Sequence, residues 1–175
     1  MAGYNAWTVP EIFSELTYKS KRIRTMSRKI VVASGYFDPL HFGHIEYLSQ
    51  AKQLGDQLIV IVNNDRQAQL KKGFSFMPAD QRIRLIRELR CVDHALIAVD
   101  EDRTVRKTLE LLQPAIFANG GDADNHNIPE ADVCERLGIE MIDGLGNKIN
   151  SSRTILGAMQ QKLDSAQEGY LQDKH

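Results

Sequence analysis

Cysteine is scarce in this chain. Cys91 and Cys134 are its two examples, they lack CxxC spacing, and they are too few for a disulfide framework. A reducing cytoplasm is the compartment that usage fits. Long apolar runs are missing too: nothing approaches the roughly 18 consecutive apolar residues of a membrane span, and the N-terminus has no continuous apolar stretch of the secretory kind. A soluble, unexported protein with no membrane partner is expected. Charge of one sign is also not in excess. The formal net charge of -1 gives no global attraction to nucleic acid, so any anion binding has to be local. No GxGxxG follows the first apolar run, and GxxxxGK[ST] does not occur, which sets aside a nicotinamide-dependent redox role and a P-loop. There is no internal repeat and no low-complexity linker.

What is present is enough for one domain with a full core: 175 residues, 42% of them apolar. Residues 1–28 read as an N-terminal helical and basic extension. Thr8 and Glu11 have capping-box spacing for a short helix over 9–16, and residues 17–29 are basic without acids. Glu11 and Glu15 argue against a transit peptide, leaving a solvated arm or an element packed on a partner subunit. Residues 29–163 then alternate β-branched runs with helical patterns. KIVVAS (29–34), QLIVIV (57–62), HALIAV (94–99), PAIFAN (114–119) and EMID (140–143) read as strands. Helices are expected from Gly43 to a stop at Gly55, with Ile45, Leu48 and Ala51 on the buried face, and over 78–90, 104–112, 128–138 and 151–163. Residues 63–73 read as a polar loop and connecting segment, Gly144-Leu145-Gly146 as a turn, and residues 164–175 as a polar tail that frays. Near-continuous apolar strands alternating with helices predict an α/β fold, a doubly wound, mainly parallel five-stranded sheet.

In such a sheet the ligand site lies at the carboxyl ends of the strands. The first strand runs straight into GYFDPLHFGHIEYL, residues 35–48. Gly35 permits a tight turn, Asp38-Pro39 continues the loop, and the helix opening near Gly43 offers free N–H groups and a positive dipole end. His41 in the loop and His44 in the first helical turn then converge on one anion, with Gly43 leaving room for close approach. Each histidine alone would be a surface residue or a cap. A metal is conceivable, yet no third His or Cys follows at useful spacing, so the predicted metal set is none.

The string Gly-x-Phe-Asp-Pro-x-His-x-Gly-His after a first strand resembles the signature of the cytidylyltransferase-like, or HxGH, nucleotidyltransferases. The later order of AKQLGDQLIVIVNND, LKKG, MPADQRIRLIREL, ANGGD and NSSRTIL extends the resemblance over residues 29–156. The closest branch is that of the heptose-1-phosphate adenylyltransferases and glycerol-3-phosphate cytidylyltransferases. The resemblance implies a Rossmann-like nucleotidyltransferase fold. It also implies that His41 and His44 stabilise charge at the α-phosphoryl group, that Lys72 or its neighbour Lys71 reaches phosphates from a mobile loop, and that Arg82 assists them. Gly35, Tyr36, Phe37, Gly43, Asn119, Gly120, Gly121, Asp122, Ser151 and Ser152 would border the nucleotide. Asp38, Lys71 and His126 would face the acceptor. Asn119 stands where the sugar-phosphate branch usually has lysine, and Arg153 where an uncharged residue is usual.

The implied reaction is attack by an acceptor phosphate on the α-phosphorus of ATP or CTP, with Mg²⁺ as cofactor and pyrophosphate as product. A sugar phosphate is the expected acceptor, followed by a polyol phosphate and by phosphopantetheine. A non-catalytic nucleotide-binding protein stays open as the alternative, and the family implies a homodimer.

Overall fold

The computed structural model describes residues 28–121, 128–146 and 152–172. The chain order is β1 (Ile30–Gly35), α1 (Phe42–Lys52), β2 (Gln57–Val62), α2 (Asp65–Lys72), α3 (Ala79–Arg87), β3 (His94–Ile97), α4 (Arg106–Leu112), β4 (Ile116–Gly120), α5 (Ala131–Leu137), β5 (Glu140–Leu145) and α6 (Ser152–Gln172). The five strands form one sheet in the order β3-β2-β1-β4-β5, and every pairing is parallel. This is the expected doubly wound α/β architecture.

Parallel strands need helical crossovers on both faces, and side chains alternate across a strand, so each strand feeds two cores. Val32, Ile59, Ile61 and Phe117 pack with Leu109 and Leu112 of α4 and Val133 and Cys134 of α5. Val31, Ala33, Leu58 and Val60 face the other way, onto Tyr47, Leu48 and Ala51 of α1 and Ile83 and Ile86 of α3. All six residues of β2 are buried, which explains its unbroken apolar run. The chain passes from β1 outward through β2 to β3, then returns to lay β4 on the opposite side of β1. The topological switch therefore falls between β1 and β4, where their carboxyl ends open a crevice.

Four expectations are corrected. Ile45 is 37% exposed, and Tyr47 takes its place against the sheet, because Gly120 leaves room for its ring and Gly146 for its backbone. Residues 65–72 form a helix rather than a loop. It buries only Gln67 and Ala68, so no apolar period marks it. The signal that fixes it is a reciprocal cap: Asn64 Oδ1 accepts from Gln67 N at 2.9 Å, while Gln67 Oε1 accepts from Asn64 N at 3.0 Å. Gly144 and Leu145 extend β5 instead of forming a turn, at the site of a register irregularity opposite Ala118 and Gly120. The last helix runs past Leu163 to Gln172 without a break. Its residues 157–165 are exposed, so good helix formers rather than burial carry it there. The helix expected over 9–16 lies outside the described residues. No helix among the described residues is long and apolar enough to cross a membrane.

Candidate active site

Strand β1 ends at Gly35, and the reason for glycine is a neighbour in the same loop. A Cβ there would lie 2.7 Å from the Phe37 ring. Phe37 takes a left-handed φ of 49° that folds this ring back under the loop, where it is 1% exposed. It meets His44 edge-on, with centroids 5.0 Å apart. The Phe37 ring is thus a prop beneath the histidine, which leaves its backbone to border the nucleotide as the resemblance implies. The Asp38 side chain turns inward as well. It is fully buried, and its two carboxylate oxygens accept the Phe76 and Met77 N–H groups at 2.9 and 2.8 Å. It ties the loop after α2 to the loop after β1 and has no free edge for an acceptor.

His41 is the N-cap of α1 and His44 its third residue. Their rings stack with centroids 3.7 Å apart and 18° between planes. His44 Nδ1 accepts the His41 backbone N–H at 3.3 Å, so the ring proton belongs on Nε2, which becomes a donor directed away from its own backbone. Burial, then His41, then the Lys72 charge hold the His44 pKa down to about 3. Burial lowers His41 too. Two cationic rings in stacking contact would repel, which disfavours a doubly charged pair, and His44 presents its Nε2–H at a helix N-terminus. Gly43 lies between them in the first turn, where the open backbone amides and the dipole favour an anion.

The lysines come from the last turn of α2. Lys72 Nζ donates to Asp38 O at 2.7 Å and lies 3.7 Å from Asp38 Oδ2. Burial lowers its pKa, and the Asp38 charge partly restores it. Lys71 Nζ lies 4.4 Å over the Tyr36 ring, with Lys72 Nζ at 5.6 Å. Gly73 follows at φ 82° and ends the helix in a conformation that favours glycine. Both lysines therefore stand against the β1 loop.

Arg82 does not stand with them. It is fully buried, and its donors go to Met77 O, Tyr36 O, Asn63 O and Asp65 Oδ1 at 2.7–2.8 Å. These contacts make it a positioning residue in this arrangement, in place of the direct assistance that the resemblance implies. On the other side of the crevice Asn119 Nδ2 bonds Asp143 Oδ1 at 3.1 Å, and Gly121 takes φ 74°. Gly120 is glycine because a Cβ would lie 2.9 Å from the Tyr47 ring. Ser152 opens α6, while Asp122, His126 and Ser151 lie outside the described residues.

Tyr47 explains how the crevice stays open. The β1–β4 register ends at the Ala33–Ala118 pair, and the next backbone groups turn to the Tyr47 hydroxyl. Ala118 O accepts from it at 2.7 Å, and Ser34 N donates to it at 3.2 Å. One phenol thus wedges the fork between the strands and satisfies both sides. Tyr47→Phe should leave those groups without their partner and cost about 1–3 kcal/mol, read as a lower urea midpoint. An unchanged midpoint would show that the wedge is idle.

At the carboxyl ends of β1 and β2 lies a cavity of about 440 Å³, bordered by Gly35, Tyr36, Asn63, Lys71, Arg103 and Glu130 among others. Asn63, Arg103 and Glu130 were not expected from the sequence. They come from three separate loops, and no local spacing links them. Among the described residues no group of His, Cys, Asp and Glu gathers to hold a metal ion.

Residues 32–143 match the Cytidylyltransferase-like family model. The bifunctional protein HldE of Streptomyces coelicolor is 36% identical over 144 residues, covering 78% of this chain and 31% of that protein. HldE of Hahella chejuensis is 32% identical over 152 residues, covering 86% of this chain and 29% of that protein. The chain thus spans about a third of the length of these curated relatives. The crystal structure of a lipopolysaccharide core biosynthesis protein from Thermoplasma volcanium superposes with a TM-score of 0.60 at 30% identity, over 69% of this chain and 99% of that one. With the parallel sheet, its β1/β4 crevice and the stacked HxGH histidines in hand, these matches settle the family: the chain belongs to the cytidylyltransferase-like nucleotidyltransferases.

Proposed function

We propose that the chain transfers a nucleoside monophosphate from ATP, or from CTP, to a phosphorylated small molecule, a sugar phosphate, and releases pyrophosphate. The carrying observation is the stacked His41–His44 pair at the N-terminus of α1, in the segment whose Gly35 and Tyr36 line a cavity of about 440 Å³. An acceptor phosphate oxygen attacks the α-phosphorus, a new P–O bond forms, and the bond to the bridging oxygen breaks with its electrons leaving on pyrophosphate. A phosphate monoester has a second pKa of about 6, so the nucleophile is already a dianion and no strong base is required. Catalysis then reduces to positioning and charge stabilisation. His44 Nε2–H, the α1 amides and Lys72 supply the donors. Lys72 would leave Asp38 O for a phosphate oxygen.

Mg²⁺ belongs to the substrate in this reading. The Asp38 carboxylate near the histidines is taken by the Phe76 and Met77 amides, so the metal would travel on the nucleotide phosphates, which suit its preference for phosphate oxygens and water. The HldE relatives and the NND and GGD blocks favour ATP with a heptose 1-phosphate over CTP with a polyol phosphate. The test is a pyrophosphate-release screen of the four ribonucleoside triphosphates against heptose 1-phosphate, mannose 1-phosphate, glycerol 3-phosphate and phosphopantetheine. Release is expected with ATP and a sugar phosphate. No release with any pair would point to a nucleotide-binding protein instead.

A further inference from the structure

We infer that Arg103 is the acceptor-specificity residue of this chain and that it holds the acceptor's phosphate together with Lys71, in the cavity that both border with Tyr36. The inference rests on the transferase reading for the identity of the ligand as an acceptor, and on geometry for the binding site itself.

Arg103 lies in the loop between β3 and α4 and borders the 440 Å³ cavity together with Tyr36. Lys71 reaches the same ring from α2. Two cations thus converge on one wall of the cavity. The loop that presents Arg103 is fixed by buried polar side chains at nearly every step. Asn64 Nδ2 donates to Ala98 O at 3.1 Å and to Asp100 O at 2.7 Å. Gln67 Nε2 donates to Asp102 O at 2.8 Å and to Thr104 O at 2.6 Å, one on each side of Arg103. Glu130 Oε1 accepts the Val105 N–H at 2.9 Å, and the Asp100 carboxylate accepts the Lys107 N–H at 2.7 Å. Gln67 and Asp100 are almost completely buried, which makes this bracing costly in desolvation and hard to attribute to a solvent loop.

The guanidinium itself is different. Neighbouring cations are matched with protein acids, Arg66 with Glu101 and Arg106 with Asp132. Arg103 has no ion pair or hydrogen bond among the described residues. A rigidly presented planar fork without a protein carboxylate, at a cavity edge, suits a phosphate that accepts two hydrogen bonds. Glu130 on the same wall opposes a second anion and favours hydroxyl donors, so the fitting ligand is a phosphate monoester bearing hydroxyls.

The test uses the full chain and isothermal titration with mannose 1-phosphate, glycerol 3-phosphate and unphosphorylated mannose, plus a non-hydrolysable ATP analogue. The wild type should bind at least one phosphorylated probe and not mannose. Arg103→Ala should weaken that binding about 10- to 100-fold, Arg103→Lys less, and leave the ATP analogue within about twofold. In turnover the acceptor KM should rise with the ATP KM unchanged. Arg103 is exposed, so the variants should melt with the wild type, and melting curves check that. Equal probe affinity in wild type and Arg103→Ala, or no phosphorylated probe bound by the wild type, overturns the inference. Arg103-dependent binding without any pyrophosphate release would support the site and reject the transferase reading.

Discussion

Replacing His44 by alanine should lower turnover by about 10²-fold or more while the chain stays folded. The core side of α1 is made by Tyr47, Leu48 and Ala51, none of which the substitution touches. What it removes is the Nε2–H that the His41 backbone contact orients. A donor aimed at charge that develops in the transition state is worth roughly 3–4 kcal/mol in a water-poor site, and about 1.4 kcal/mol corresponds to each tenfold change in rate. The loss should therefore fall on turnover more than on nucleotide affinity. Stability adds a second readout. His44 has a folded pKa of about 3, below the unfolded value of about 6.5, so between these the unfolded chain binds the proton more readily. Its contribution is complete above pH 6.5 and drains away as pH falls toward 3, with a slope of at most about 1.4 kcal/mol per pH unit. Urea melts at pH 7 and pH 5 should show a smaller acid loss in His44→Ala than in the wild type. Near-normal turnover, or the same acid slope in both proteins, would remove His44 from its assigned role.

The strands were legible because a parallel sheet buries both faces and so writes its strands as apolar runs, as QLIVIV does. Helix α2 was not, because a helix stabilised by a reciprocal Asn64–Gln67 cap and by polar links to the next loop leaves no apolar period. At the site, the histidines were legible because their chemistry is local: a loop after the first strand and the first turn of the next helix follow from the sequence alone, while the structure adds that His41 is the N-cap. Asp38, Phe37 and Arg82 carry the right letters for ligand contact, yet their partners lie far along the chain. Asp38 meets Phe76 and Met77, and Arg82 meets Tyr36 and Asn63. Which way a side chain turns, toward ligand or toward a distant carbonyl, is decided by the packed fold. Arg103 was missed for the same reason, since only the folded loop brings it to the cavity that Lys71 also borders.

Arg82→Met should destabilise the chain by about 3–5 kcal/mol, the range for removing one member of a buried charged network. The guanidinium gathers Tyr36 O from the β1 loop, Asn63 O from the end of β2 and Met77 O from the segment before α3, and pairs with Asp65. Without it three carbonyls lose a charged donor. Asp65 keeps the Ala79 N–H and the Ser75 hydroxyl but loses its cation. Lysine cannot reproduce a fork that serves four acceptors, so Arg82→Lys should recover only a minor part of the loss. With urea m-values of about 1–3 kcal/mol/M, the midpoint should fall by more than 1 M. Turnover should fall in the folded fraction too, because the Tyr36 carbonyl belongs to the loop that carries the histidines and borders the cavity. Nucleotide affinity in that fraction separates the two readings of this residue. A positioning arginine leaves it within a few-fold, whereas an arginine that contacts phosphate loses it about 10- to 100-fold. A normal urea midpoint combined with lost nucleotide binding would mean that Arg82 leaves its buried network to meet the substrate.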